Sequence, residues 1–567
     1  MEQLETKSDD KKGNPPSHMT DCGIYAYLSV CSICLGELFP GECNAEFNEK
    51  YVRSLCRYFR VKETQENVMM VLVMGDSGQD TKPYVSLLMN EPGIDGRGIL
   101  VIQLTVFIAV QSGIASGEYD ARQRVLVRKL SDLFLVPFDL VELYEHSLVS
   151  MLNDDEPTVT EEEQRASDRR RKIKKIKRYA SVGIATLAGG TLIGLTGGLA
   201  APLIGVGVGT ILGGATTVAL TSTAGVTIIG SIFGVAGAGL TGYKMNKRVG
   251  HLEEFSFQPL SCASQTDSQL HIAIAITGWL KSEDPGAILR PWRCLAISRE
   301  QYALRYETKY LVELGQALEY ILSMAVSFAT QEALKYTILS GLMSAIAWPT
   351  ALLSISSVID NPWSVCCRRS SEVGKHLAHV LLSRQHGKRP VTLIGYSLGA
   401  RVIFYCLREM CQTGGKNALG IVQDAILLGA PVTADERQWG MCSRIVAGRV
   451  VNGYARSDWL LRFLYRTFSM TTAVAGLMPL NHSGIENIDL GAVVGGHMEY
   501  SEKLEDILRL VGVKLRPGEI LDDYGLLRNS TSEYDQRNLQ RNLSTGDLKE
   551  SKSDTCLSKA LPDLLKK

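Results

Sequence analysis

Pro390-Val-Thr-Leu-Ile-Gly-Tyr-Ser-Leu-Gly-Ala-Arg401 is the stretch on which the fold turns. Residues 391–394 form a short, β-branched apolar run between a proline and a glycine, the pattern of a buried strand. From Leu398 the apolar residues fall at helical spacing, with no breaker after Gly399. Between the two lies Gly395-Tyr-Ser397-Leu-Gly399, a G-x-S-x-G pattern in strand–turn–helix context. Such a turn needs small residues on both sides of the serine and holds its hydroxyl out beside a helix N-terminus, where developing negative charge is favoured. The same pattern also suits a glycine-bracketed turn without chemistry.

Working outward, the candidate strands are residues 271–277 before the elbow and 424–429, 449–453 and 485–490 after it, with helical stretches between. That alternation predicts an α/β domain over 251–515 with a mostly parallel sheet, closed by a helix over 502–511. A long excursion separates the first strand from the elbow. It holds a helix-like run over 307–335, an uncharged stretch over 336–359, the breaker Asp360-Asn-Pro-Trp363 and a helix over 370–383 carrying His376 and His379 as a polar face. The uncharged stretch is read as a buried or cap helix, with a membrane span as the alternative.

A serine nucleophile needs a base, and the base needs an orienting acid. In chain order Ser, acid, His, the loops after the later strands supply Asp458 and His497. Asp435 is the alternative acid and His482 the alternative base. The oxyanion hole is expected to draw one N–H from Leu398 and another from Gly278-Trp279, directly after the first strand.

The chain has 567 residues, more than one hydrophobic core usually serves. Its 60 basic and 60 acidic residues balance, so the bulk charge gives no argument for nucleic acid. The thirteen cysteines show no repeated metal-ligand spacing; Cys31 and Cys34 form a lone C-x-x-C, read as free thiols. Neither a metal nor a cofactor is expected. Residues 1–20 read as a disordered tail without a secretory core, and 21–152 as an α-helical domain in which Glu142 and Glu145 are assigned to a solvated face. Residues 516–567 read as a second disordered tail.

Composition changes abruptly over 153–178, a charged linker that ends in the basic run Arg169-Arg-Arg-Lys-Ile-Lys-Lys-Ile-Lys-Arg178. Residues 179–243 then carry no charge, far more than the roughly 20 apolar residues one span needs. Glycines recur there at glycine-zipper spacing, as at Gly190/Gly194/Gly198, which suits close helix packing in lipid. Basic residues flank both ends, Lys244 to Arg248 closing the segment, so an even number of crossings with both ends cytosolic is expected. A glycine-rich hairpin buried in protein or resting on the bilayer is the alternative.

The glycine-rich segment, Asp360-Asn-Pro-Trp363, the stretch around Ser397, Gly429-Ala-Pro431 and Gly496-His-Met-Glu-Tyr500 together resemble the transmembrane and coiled-coil domain-containing protein 4 family over roughly residues 120–515. The resemblance implies multi-pass membrane proteins with an α/β-hydrolase-like domain, and no established activity. Sustained heptads are absent from this chain. The expectation is a membrane-anchored serine ester hydrolase of an intracellular membrane, with its catalytic domain cytosolic, membrane lipids as partners and a lipid or other ester as substrate. The alternative is a catalytically silent, membrane-tethered interaction or trafficking module of the same fold.

Overall fold

A computed structural model describes residues 19–75, 79–153, 252–260, 269–333, 350–468 and 473–516. The segment 179–243, the linker, both tails and residues 334–349 lie wholly or almost wholly outside this set.

Among the described residues, seven strands make one sheet in the order β1-β3-β2-β4-β5-β6-β7. They are β1 (Phe255–Pro259), β2 (Ile272–Ile276), β3 (Glu300–Tyr306), β4 (Val391–Tyr396), β5 (Val422–Leu428), β6 (Val450–Tyr454) and β7 (Glu486–Asp489). All neighbours are parallel except β1, which runs antiparallel to β3 with Phe255 opposite Tyr306. β2, β4, β5 and β6 are buried at every position, as expected of strands covered by helices on both faces. The chain is therefore α/β. Five strands fall where the sequence predicts them. β1 and β3 are additions: β3 carries Glu300, Gln301 and Arg305 within its seven residues and so lacks a clean apolar run.

From β2 the chain crosses to β3 on one side, and β4 lies on the other side of β2. The loops leaving β2 and β4 thus diverge at the C-terminal edge of the sheet. This is the point where an open α/β sheet forms a crevice.

Helices α1 (Asp21–Leu38), α2 (Glu42–Phe59), α3 (Glu63–Met74), α4 (Lys82–Met89), α5 (Gly98–Ser116), α6 (Ala121–Leu133) and α7 (Phe138–Asn153) form the N-terminal helical region. α1 and α5 are long and apolar enough to cross a membrane, yet 67% and 72% of them are buried inside the protein. Here they make a helical core with Tyr51, Leu55 and Leu126.

This region belongs to the same compact unit as the sheet. It is fastened to the N-terminal edge of the strands. Tyr119 and Ala121 donate backbone N–H groups to the carbonyls of Lys388 and Gly420, which precede β4 and β5. Arg128 forms a two-pronged ion pair with Asp424, at 3.1 and 2.8 Å. Arg124 reaches Gln423 at 2.9 Å and pairs with Glu145 at 2.9 Å. Glu145 is therefore not on a solvated face: it is 5% exposed, held by Arg124 and by the Tyr119 hydroxyl. The sequence pattern misleads there because the ion pair spans two helices. His271, just before β2, bonds Thr392 at 2.9 Å and is held neutral, its pKa lowered by burial and then by Arg124, Arg128 and Arg389.

The excursion before the elbow is built differently from its sequence reading. α8 (Thr308–Ala333) leaves the end of β3, and α9 (Thr350–Leu382) packs on it and returns to β4. Asp360-Asn-Pro-Trp363 does not break the chain: Pro362 lies inside α9. Burial of Trp363 and Cys366 in the core offsets the lost hydrogen bond. His376 is buried rather than on a polar face, its ring 4.5 Å from that of Phe255.

Candidate active site

Ser397 directly follows β4 and caps α10 (Leu398–Glu409) with φ 53° and ψ −125°, a left-handed backbone that a side chain rarely adopts. Three glycines make the turn possible by sterics rather than by their own dihedrals. A Cβ on Gly395 would lie 2.8 Å from the Gly399 carbonyl carbon, and one on Gly399 would lie 2.0 Å from the Ile276 oxygen. On Gly278 it would meet the Tyr396 oxygen, the Ser397 Cβ and the Leu398 nitrogen at 2.3, 2.6 and 2.8 Å. The loop after β2 therefore lies directly against the elbow.

Ser397 Oγ is 2.6 Å from His497 Nε2, and His497 Nδ1 is 2.6 Å from Asp458 Oδ2. All three side chains are buried. The carboxylate can only accept, so Nδ1 carries the proton and Nε2 is left free to accept from the serine hydroxyl. The other Asp458 oxygen accepts the Leu461 N–H at 3.0 Å at the start of α12 (Trp459–Phe468; α11 is Glu436–Ile445). This fixes the carboxylate plane.

His497 sits in a short 3₁₀ turn, His497–Tyr500, before α13 (Leu504–Leu510). The Tyr500 ring packs against the imidazole at 5.6 Å. Ser457 ties the two loops together by donating to the Val494 carbonyl at 2.8 Å.

The structure does not bring the alternatives to the serine. Asp435 caps α11, accepting from the Arg437 and Gln438 N–H groups. His482 accepts from the Gly484 N–H through Nδ1 and faces Gly440.

On the oxyanion side, Leu398 is the first residue of α10, and Ser397 makes no side-chain capping bond to the first-turn amides. Those amides point where negative charge is favoured. Gly278-Trp279 is braced from behind. Thr277 accepts the Trp292 indole N–H at 2.9 Å through its hydroxyl and the Tyr306 hydroxyl at 2.9 Å through its carbonyl.

Three contributors carried no sequence motif. Arg401 donates to the Cys367 and Pro431 carbonyls at 3.1 and 2.8 Å, pinning α10 to α9 and to the loop after β5. Trp292 and Tyr306 act from the unpredicted part of the excursion. Of the three, only Arg401, one turn past the serine, lies within the motif stretch, on a helix face shared with Tyr405 and Arg408. Among the described residues no group of three or more His, Cys, Asp or Glu side chains could hold a metal ion.

Residues 174–514 match the family model described as "Protein of unknown function (DUF726)". The chain belongs to this family. The matched residues run from the basic run before the glycine-rich segment to the end of the α/β region, so the DUF726 unit includes both. A DUF726 relative in Caenorhabditis elegans, named as an uncharacterized membrane protein, is 46% identical over 77% of this chain and 70% of its own length. The rice protein named transmembrane and coiled-coil domain-containing protein STS1 is 39% identical over 69% of this chain and 60% of its length. A Saccharomyces cerevisiae protein named probable lipase MIL1 is 32% identical over 72% of this chain but only 38% of its own length. The chain thus spans less than two thirds of the rice and yeast proteins. No solved structure gives a significant match.

Proposed function

We propose that this DUF726 chain is a membrane-associated serine ester hydrolase with an α/β-hydrolase fold, acting on a lipid ester. The observation that carries the reading is the continuous Ser397–His497–Asp458 hydrogen-bonded chain, 2.6 Å at each step, on a strained elbow. Ser397 Oγ attacks the ester carbonyl carbon while its proton passes to His497 Nε2. The carbonyl π-electrons move to oxygen, and that oxyanion is met by the N–H of Leu398 and one from Gly278-Trp279. Collapse expels the alcohol, which takes the proton from His497, and leaves an acyl-serine. Water activated by the same imidazole then releases the acid and restores the serine. Asp458 holds the imidazole and stabilises its charged form throughout.

Three further points support the lipid assignment: the uncharged segment 179–243, the relatives named as membrane proteins, and the relative named a probable lipase. The finer resemblance, to the transmembrane and coiled-coil domain-containing protein 4 family, fits a multi-pass protein of an intracellular membrane with the α/β domain cytosolic. Burial of the whole triad favours the competing reading, a silent module on the same fold.

Turnover separates the two. Full-length protein in vesicles is expected to release fatty acid from a phospholipid or acylglycerol, and Ser397→Ala to abolish the release while unfolding at the same temperature. Equal release by Ser397→Ala, or none from wild type across short- and long-chain esters, contradicts the proposal.

A further inference from the structure

Ser397, His497 and Asp458 are 1%, 1% and 0% exposed, so no ester reaches the serine unless the elements covering it part. Three described elements close in on it. The first is the loop after β2: a Cβ on Gly278 would lie 2.6 Å from the Ser397 Cβ and 2.8 Å from the Leu398 nitrogen. The second is the His497–Tyr500 turn, through the 2.6 Å bond between His497 Nε2 and Ser397 Oγ. The third is α8, which backs the first. Leu280 donates its N–H to the Leu311 carbonyl at 3.2 Å, and a Cβ on Gly315 would run into the Leu280 carbonyl oxygen.

One described side chain joins all three. Lys281, directly after Gly278-Trp279-Leu280, places its ammonium 2.8 Å from Glu502 Oε1 and 3.7 Å from Glu319 Oε1. Glu502 follows the histidine turn by two residues, and Glu319 lies on α8. The loop, the Lys281–Glu502 pair and the turn thus close a ring that begins and ends at Ser397. Its inner members, Trp279, Leu280, Met498 and Tyr500, are buried, whereas the Lys281, Glu319 and Glu502 side chains are 51%, 46% and 59% exposed. The neighbouring ion pairs at this edge are of another kind: Arg290–Asp284 and Lys503–Glu499 each stay within one segment.

The two ends of the ring are fastened without Lys281. Trp292 and Tyr306 hold Thr277, just before Gly278. On the other side Ser457 holds the Val494 carbonyl, and Glu499 accepts the Gly495 N–H at 2.9 Å. Release of the Lys281 pairs therefore frees the middle of the ring while the oxyanion loop stays anchored at its root and the imidazole stays on Asp458. Half-exposed ion pairs are weak and screened by salt, so this link opens far more readily than the buried contacts around it.

We infer that Lys281, paired with Glu502 and Glu319, is a latch that holds the loop after β2 against the histidine turn over a closed triad, and that its release admits the substrate. Gating of this kind sets access without altering the reacting groups. The inference deepens the hydrolase reading and rests on it, since a site that takes a substrate needs an opening, but its test requires no turnover.

The test reads access with a small neutral reagent. In full-length protein in phosphatidylcholine vesicles, Ser397→Cys places a thiol in the closed site, and its alkylation by iodoacetamide is followed by mass spectrometry. Adding Lys281→Met or, separately, Glu502→Gln is expected to speed that alkylation about threefold, the scale set by an exposed ion pair. The two changes shift the local charge in opposite directions, so a common acceleration cannot come from the field at the thiol. Sodium chloride at about 1 M, where the screening length falls to about 3 Å, is expected to speed the Ser397→Cys parent by a similar factor and the two variants much less.

Alkylation at the parent's rate or slower in either variant, or the same salt response in all three proteins, overturns the latch. So does acceleration shared by the buried Cys31 and Cys406, which reports loosening of the whole fold. Turnover by the protein with Ser397 intact keeps the two proposals apart. Accelerated alkylation beside a wild type that hydrolyses no ester leaves the latch standing and removes the hydrolase. Ester hydrolysis by wild type with no acceleration in the variants does the reverse.

Discussion

Asp458→Asn is expected to lower kcat by about 10⁴-fold while leaving the fold intact. The geometry gives the reason. Asp458 Oδ1 accepts the Leu461 N–H at 3.0 Å and Oδ2 faces His497 Nδ1 at 2.6 Å. An asparagine must place its single oxygen toward the Leu461 donor to keep the start of α12. Its NH₂ group then faces Nδ1, which becomes an acceptor, and the ring proton moves to Nε2. In that tautomer the imidazole donates toward Ser397 and cannot take its proton. The cap survives, so the unfolding temperature should change little. Steady-state hydrolysis beside thermal unfolding checks this. An Asp458→Asn protein within tenfold of wild-type kcat is incompatible with the assigned acid.

A large stability effect is expected at Gly399. An alanine there brings a Cβ to 2.0 Å from the Ile276 oxygen and 2.6 Å from its carbonyl carbon, both backbone atoms of the neighbouring strand. Neither can yield without separating β4 from β2 at the point where Gly278 meets the Leu398 nitrogen at 2.8 Å from its own virtual Cβ. Overpacking against backbone is expected to destabilise the protein by about 3 kcal/mol or more, the upper range for a single methyl. Gly96→Ala is the control for the measurement. No atom lies within 4 Å of its virtual Cβ, so only its φ of 71° opposes the change. Urea midpoints of both proteins read the difference, and an unchanged midpoint for Gly399→Ala contradicts the packing described for the elbow.

How much was legible in the sequence follows from how local each signal is. The elbow is readable because its strand, serine and helix are adjacent in the chain and its glycines are demanded by a single close approach. Chain order placed Asp458 and His497: Asp458 follows the buried strand β6, whereas β7 before His497 is the mixed, largely exposed run Glu486–Asp489, so order rather than an apolar run pointed to the histidine. β3 was not legible because Glu300 and Arg305 break its pattern; their partners, Arg389 and Glu254, are far away in sequence. The same reason hid Glu145, whose burial depends on Arg124 across two helices. Pro362 misled in the other direction, a local breaker overridden by the buried flank of α9. Side chains that brace the oxyanion loop, Trp292 and Tyr306, converge only through the fold.

The central claim is that Ser397 is a nucleophile poised by His497, and covalent capture tests it most directly. Full-length protein in vesicles is treated with a fluorophosphonate, digested and mapped by mass spectrometry. The account predicts a single adduct on the peptide carrying Ser397, lost in Ser397→Ala and strongly slowed in His497→Ala. Absence of the adduct from folded wild-type protein, while a known serine hydrolase in the same tube is labelled, would contradict it.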